Sequence, residues 1–254
     1  MGNFVLVPGA WLGAWAWDAV AAELRAAGHD AHALTLSGLA ERRAAASWAG
    51  QQTHVHDIVD AVERLDLHDV VLVGHSYAGI PVGQAAELIG DRLARVVFVD
   101  ADVPVDGEPF VSGWAGGAGV AASIEANGGL WPPPTAGDYA GQDLDEEQIA
   151  RIVAGCTPHP GATLTEPAAL ARSLGELPAV YVKCLLDGPE PPPAAGELLK
   201  SDSWTLLTLN TGHWPMFSRP AELAGVLAGM WEGDSVEIGG MRSGGAEERS
   251  GGGR

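Results

Sequence analysis

Ten residues limit the fold of this chain more than any others: Val70-Val71-Leu72-Val73-Gly74-His75-Ser76-Tyr77-Ala78-Gly79. Four consecutive apolar residues, three of them β-branched, specify a buried strand. The strand ends at Gly74, and a helical pattern from Tyr77 to Ile89 starts almost at once. Small residues on both sides let strand and helix cross closely while Ser76 holds a strained backbone conformation between them. A serine held there projects its hydroxyl above a sheet, beside helix N–H groups that lack partners and carry positive dipole character. Such a junction suits a nucleophile and a developing oxyanion.

The rest of the chain repeats the alternation. Phe4 to Val7 reads as a strand ending at Pro8-Gly9, and Trp17, Val20, Ala21 and Leu24 recur at helical spacing up to Gly28. Asp30 to Leu34 is a weaker strand, and Ile58, Val59, Val62 and Leu65 form a second helical face. Arg95 to Val99, Ala179 to Leu185 and Trp204 to Leu209 read as further strands, and Pro220 to Trp231 as a last helix with proline in its first turn. Near-continuous apolar strands alternating with helices predict an α/β fold with a mostly parallel sheet covered on both faces. The alternation breaks between residues 103 and 178, where only Glu147 to Ala154 and Pro167 to Leu174 look helical. The predicted organisation is a core of residues 1–102 and 179–231, a lid insertion of residues 103–178, and a disordered Gly-rich tail over 232–254.

Composition narrows the class of partner. Among 254 residues, 14 Lys+Arg stand against 33 Asp+Glu, a formal charge of −19. That excess excludes nucleic acid and anionic membrane surfaces as partners. No apolar run approaches the length of a membrane span, and Met1 to Val7 lacks a basic leader, so the expectation is a cytoplasmic protein acting on a small molecule. Two cysteines, Cys156 and Cys184, make no disulfide framework. Oligomeric state is left open, a homodimer included. Five acids and no base lie between Asp138 and Glu147. Should they face a pocket mouth, they disfavour anionic substrates.

A serine nucleophile needs a base and an orienting acid, in the chain order serine, acid, histidine for this kind of junction. Of eight histidines, His213 alone sits in the loop after the last strand, where parallel sheets carry their chemistry. Asp187 ends the preceding strand and is favoured as the acid; Asp100, at the end of the strand after the serine, competes with it. The N–H groups of Ala10, after the first strand, and Tyr77, after the serine, are the candidate oxyanion donors. Trp11, Trp114, Trp131 and Trp214 lie in loops near the expected site and are candidate pocket residues, with plain packing an equal alternative. His54-Val55-His56-Asp57 fails metal-ligand spacing and reads as an exposed helix start. No phosphate-binding loop is present.

Together these residues resemble the α/β-hydrolase superfamily, and within it the plant methylesterase and hydroxynitrile lyase branch with its bacterial relatives. The blocks are V-P-G-A-W-L-G-A-W-A-W, the Val70–Gly79 strand–turn–helix elbow, the Asp187 segment and T-G-H-W-P-M-F-S-R-P-A-E-L-A, over residues 3–231. The resemblance implies a Ser76-Asp187-His213 triad, a lid from the insertion, and no metal or organic cofactor. Three positions depart from it: Pro8 replaces a histidine, Ala78 replaces the elbow glycine, and a proline-rich stretch follows Asp187 where a basic residue is usual. The lyase members carry a lysine after the catalytic histidine and a threonine in the first oxyanion loop; Trp214 and Ala10 stand there. Ser76 likewise disfavours the dehalogenases and epoxide hydrolases of this fold, which use aspartate. The expected activity is hydrolysis of a carboxylic ester of a small apolar or aromatic substrate through an acyl-enzyme. The alternatives are a cyclisation, elimination or C–C cleavage on the same fold, or a non-catalytic small-molecule receptor.

Overall fold

The computed structural model describes residues 1–113 and 116–232. The tail expected over 232–254 and the candidate pocket residue Trp114 therefore lie outside the described residues, apart from the backbone of Glu232, where the last helix ends. The elements in chain order are β1 (Asn3–Val7), α1 (Asp18–Ala26), β2 (Asp30–Ala33), α2 (Gln51–Arg64), β3 (Val70–His75), α3 (Gly79–Ile89) and β4 (Leu93–Val99). Next come α4 (Gly117–Ala126), β5 (Leu130–Trp131), α5 (Glu146–Gly155), β6 (His159–Pro160) and α6 (Ala162–Thr165). The chain closes with β7 (Ala179–Cys184), α7 (Pro193–Leu198), β8 (Trp204–Leu209), α8 (Pro215–Ser218) and α9 (Pro220–Glu232).

Six strands form one sheet in the order β2-β1-β3-β4-β7-β8, every pair parallel. The continuous apolar runs follow from that: successive side chains point to opposite faces, and both faces are covered. Val5, Val7, Leu72, Val96, Phe98 and Tyr181 pack with α2 and α3 through Val55, Ile58, Val62 and Val82. Their alternates Phe4, Leu6, Val71, Val73, Val97 and Val182 pack with α1 and α9 through Val20, Leu24, Leu223 and Leu227, and with Trp17 just before α1. Each such side chain contributes roughly 1.5–3 kcal/mol by leaving water. The edge strand β8 is correspondingly mixed, with Thr205, Leu206 and Thr208 exposed.

Helix α1 stops as its sequence requires. Gly28 takes φ +87°, its N–H bonds to Arg25 C=O, and His29 N–H reaches Leu24 C=O, a Schellman closure that glycine permits without strain.

The insertion between β4 and β7 holds α4, α5, α6 and the antiparallel β5·β6 pair. The helix expected over Pro167–Leu174 does not form. Pro167 bridges Pro109, and the N–H groups of Ala169, Leu170, Ala171 and Arg172 donate to the side chains of Gln84, Asp106 and Glu87. Side-chain acceptors on neighbouring elements take the place of a helical ladder. Conversely, α4 arises from a Gly/Ala-rich run with little pattern to announce it. Among the described residues, no helix is long and apolar enough to cross a membrane.

Candidate active site

At the junction of β3 and α3 Ser76 has φ +54°, a left-handed conformation for a residue with a side chain. The Asp102 N–H holds it by bonding to Ser76 C=O at 3.3 Å. Space explains the local sequence. A Cβ on Gly74 would come 2.9 Å from Val82 Cγ2, and one on Gly79 would run into the Asp102 carbonyl. Ala78 is fully buried, and its methyl group belongs to the core cluster. The position that must stay bare is therefore Gly79, one place beyond the usual motif.

The Ser76 hydroxyl lies 2.9 Å from His213 Nε2. On the other side of the ring, Nδ1 lies 2.7 Å from Asp100 Oδ2 and 3.4 Å from Asp187 Oδ2. Both acids that compete in the sequence thus converge on one imidazole. They differ in setting. The Asp100 side chain is 2% exposed and also accepts from Lys183 Nζ at 2.5 Å and Cys184 N–H at 3.2 Å. Asp187 is 39% exposed, accepts from Gln142 Nε2 at 3.2 Å, and offers its backbone carbonyl to Lys183.

Burial alone would lower the His213 pKa, but hydrogen bonds to Asp100 and Asp187 and their charges outweigh it and raise it to about 9. Asp187 shows the reciprocal effect: its partial burial is overcome by the bond and charge of His213, and its carboxyl is held well below the usual range. In its neutral form the ring keeps Nδ1–H donated to a carboxylate and leaves Nε2 free to accept the serine proton.

His75 supports this ring from behind. Its Nε2–H donates to the His213 carbonyl at 2.7 Å, and burial, with the nearby His213 charge, keeps it neutral. Gln142 clamps the front, accepting the His213 N–H at 2.6 Å while donating to Asp187. Gln142 and Lys183 belong to no motif; a lysine inside the apolar run of β7 is the one available signal, since a buried ammonium requires a buried partner.

The candidate oxyanion residues lie alongside. Gly9 backs directly onto Ser76, where a Cβ would sit 3.0 Å from Ser76 Cβ, and Ala10 follows it, buried. Tyr77 is buried, and its hydroxyl donates to His54 Nδ1 at 2.9 Å because His54 Nε2–H is engaged with Ser37 C=O at 2.7 Å. His54 is fully buried, so the expectation of an exposed start to α2 is corrected at that residue; His56 does face solvent.

The candidate pocket tryptophans fall into two groups. Trp11 and Trp131 meet with ring centroids 4.1 Å apart, whereas Trp214 packs on Tyr139 and the edge of His213. A cavity of about 520 Å³ opens beside His213, lined by Asp102, Lys183, Asp187, Glu190 and Pro191–Pro193. Three acids of the insertion have local partners: Asp138 bonds Thr135, Asp143 pairs with Arg219, and Asp145 caps α5. Among the described residues, Asp100, Asp187 and His213 form a cluster of convergent donor atoms that could hold a cation, but the Lys183 ammonium already occupies one face of Asp100.

Comparison with known proteins agrees with this architecture. The profile of the alpha/beta hydrolase family matches residues 4–226. A carbendazim-hydrolysing esterase of Nocardioides sp. (strain SG-4G) is 33% identical over 248 residues, covering 91% of this chain and 100% of that protein. Putative methylesterase 14 of Arabidopsis thaliana is 26% identical, covering 89% of this chain and 70% of its own length. An extracellular α/β-hydrolase from a Paenibacillus species superposes with a TM-score of 0.80 at 22% identity, over 91% of this chain and 98% of that one. The chain is a member of the alpha/beta hydrolase family, and an esterase by its relatives.

Proposed function

We propose that this esterase works through an acyl-enzyme on Ser76, with His213 as base and then acid, and that Asp100 is the principal orienting acid. The observation carrying this is the Ser76 Oγ to His213 Nε2 contact of 2.9 Å, continued at Nδ1 by a buried carboxylate at 2.7 Å. Ser76 attacks the ester carbonyl as its proton passes to Nε2. The tetrahedral oxyanion is held by the N–H groups of Ala10 and Tyr77. His213 returns the proton to the leaving alkoxide, and a water activated by the same nitrogen then hydrolyses the acyl-enzyme. Asp187, second in distance and more exposed, tunes the imidazole rather than fixing its tautomer.

The substrate class that fits is a small ester with an apolar or aromatic portion. Trp11 and Trp131 beside the first loop supply apolar surface, and the acids around the neighbouring cavity disfavour an anionic group. The insertion of residues 103–178 serves as the lid.

The test is Ser76→Ala against a panel of p-nitrophenyl esters, with a fluorophosphonate label on the parent protein. Loss of turnover in the variant, with a label on Ser76 in the parent, is the expected result. Undiminished turnover, or a label elsewhere, would refute the mechanism.

A further inference from the structure

We propose that residues 157–163 of the insertion hold the first loop in its working shape, with His159 as the positioning residue for the oxyanion site. This rests on the esterase reading, since it concerns the loop that carries Ala10 N–H. Residues Gly9 to Leu12 form a tight turn closed by Leu12 N–H to Gly9 C=O at 3.4 Å. Its third residue, Trp11, has φ +65°, a position where such turns normally use glycine. A bulky side chain disfavours that conformation, and the turn's own hydrogen bond is long. Something beyond the turn must hold it.

The holding groups all come from the insertion. Trp11 N–H donates to His159 Nδ1 at 3.2 Å, and Trp11 C=O accepts Thr157 N–H at 3.0 Å. The indole N–H donates to Trp131 C=O at 3.3 Å, and the ring lies against the Trp131 ring. Trp131 is itself the strand partner of His159 in the β5·β6 pair. Trp11 is therefore gripped at its amide, its carbonyl and its side chain by two paired segments of the insertion, both distant in sequence.

The hydrogen-bond directions around His159 are fixed. Its Nδ1 accepts from an amide, so a neutral ring carries its proton on Nε2, which donates to Thr163 Oγ1 at 2.8 Å. The Thr163 hydroxyl in turn donates to Pro160 C=O at 2.7 Å. The ring is fully buried, and burial, with His54 nearby, keeps it neutral. The same imidazole supports the second candidate donor residue: the Tyr77 ring meets it edge-on with centroids 4.6 Å apart. Tyr77 and Trp11, the residue that follows Ala10, thus both meet one side chain of the insertion. It follows that docking of this segment and completion of the oxyanion site are one event.

The experiment compares parent, His159→Leu, His159→Asn and Thr163→Val in steady-state hydrolysis of p-nitrophenyl butyrate. Inhibition by an alkyl trifluoromethyl ketone, whose adduct with Ser76 places an oxyanion in the site, is measured alongside, with a thermal melt of each protein. Leucine fills the space without an acceptor; asparagine can set Oδ1 where Nδ1 sits. For His159→Leu, kcat should fall by about 10–100-fold with KM within about threefold, and ketone affinity should weaken by the same factor as kcat, a partial version of losing one oxyanion donor. His159→Asn should recover most of the loss, and Thr163→Val should lose about 3–10-fold. The proposal is overturned if folded His159→Leu keeps kcat within twofold, if KM alone changes, or if asparagine does no better than leucine. Should the leucine variant not fold, an unchanged kcat in Thr163→Val overturns it. A parent that neither turns over the ester nor takes the ketone on Ser76 removes the esterase reading, and this role with it.

Discussion

The two carboxylates on His213 lead to a prediction that separates them by pH rather than by loss of activity alone. With its pKa near 9, His213 is in the base form in about one molecule in a hundred at pH 7. The parent kcat/KM should therefore climb through neutral pH and level off only above about pH 9. Asp187 sits 3.4 Å from Nδ1 and is 39% exposed, so replacing it removes a charge without disturbing the 2.7 Å bond to Asp100. In Asp187→Asn the rise should come about one pH unit earlier, giving about tenfold more free base at pH 7. Its plateau should drop no more than about tenfold, so at neutral pH the variant matches or exceeds the parent. Asp100→Asn is different in kind. It presents an amide to Nδ1, allows the wrong tautomer, and should lower the plateau by roughly 10³–10⁴-fold. It also leaves the Lys183 ammonium buried without a carboxylate, at a cost of about 3–5 kcal/mol in stability. Adding Lys183→Met should restore the melting temperature but not the plateau. The assay is kcat/KM for a neutral p-nitrophenyl ester from pH 5 to 10.5, corrected for spontaneous hydrolysis. A parent profile already flat above pH 7, or an Asp187→Asn plateau lower than that of Asp100→Asn, would refute the assignment.

Three further outcomes follow from particular contacts. Burial, aided by the Asp100 charge against the opposing His213, raises the Asp102 pKa to about 6, so the folded form binds its proton more tightly than the unfolded one. The stability this contributes is present below about pH 4 and lost as pH rises through 6, so Asp102→Asn should gain up to about 3 kcal/mol at pH 8 and nothing at pH 3, read by denaturant unfolding at both. Gly79→Ala drives a methyl group into the Asp102 carbonyl and should lose about 1–3 kcal/mol together with activity, while Gly225→Ala, with open space on α9, should gain about 0.5–1 kcal/mol; equal melting temperatures would contradict both. Salt should raise kcat/KM for an anionic ester more than for a neutral one, because Asp102, Asp187 and Glu190 line the cavity beside His213; identical salt responses would show that those charges do not reach the substrate.

What could be read from the sequence, and what could not, divides along physical lines. The strands of the sheet were legible because burial on both faces demands continuous apolar runs, which few other structures tolerate. Ser76 and His213 were legible because each stands where a strand ends, and the order of strand ends is the order of the chain. The supports of the site were not. Gln142, Lys183, His54 and His159 act through contacts spanning 23 to 148 positions in sequence, and all but Lys183 are ordinary residues for their local elements. The expected helix over 167–174 failed for the same reason, its N–H groups being taken by side chains from α3 and from the segment after β4.

The acid shows the limit most clearly. Chain order nominates Asp187, since it follows the strand before the histidine. Strands β4 and β7, however, are parallel neighbours with Val99 opposite Val182, and Asp100 N–H bonds to Val182 C=O. Asp100 therefore leaves the sheet first, directly at the edge, where φ +42° turns its side chain toward His213 and Lys183. Asp187 comes five residues beyond Val182, as the last residue of a turn of 3₁₀ helix that carries it outward to the surface. Register between adjacent strands, not order along the chain, sets which carboxylate reaches the imidazole at hydrogen-bonding distance. The buried lysine on the neighbouring strand has the same origin: Lys183 lies one place past the register partner of Val99, within reach of Asp100 across the strand pair. An acid at the end of β4 and a lysine at the end of β7 are thus two halves of one buried ion pair, and substitutions at either position should be tolerated only when the other changes with it.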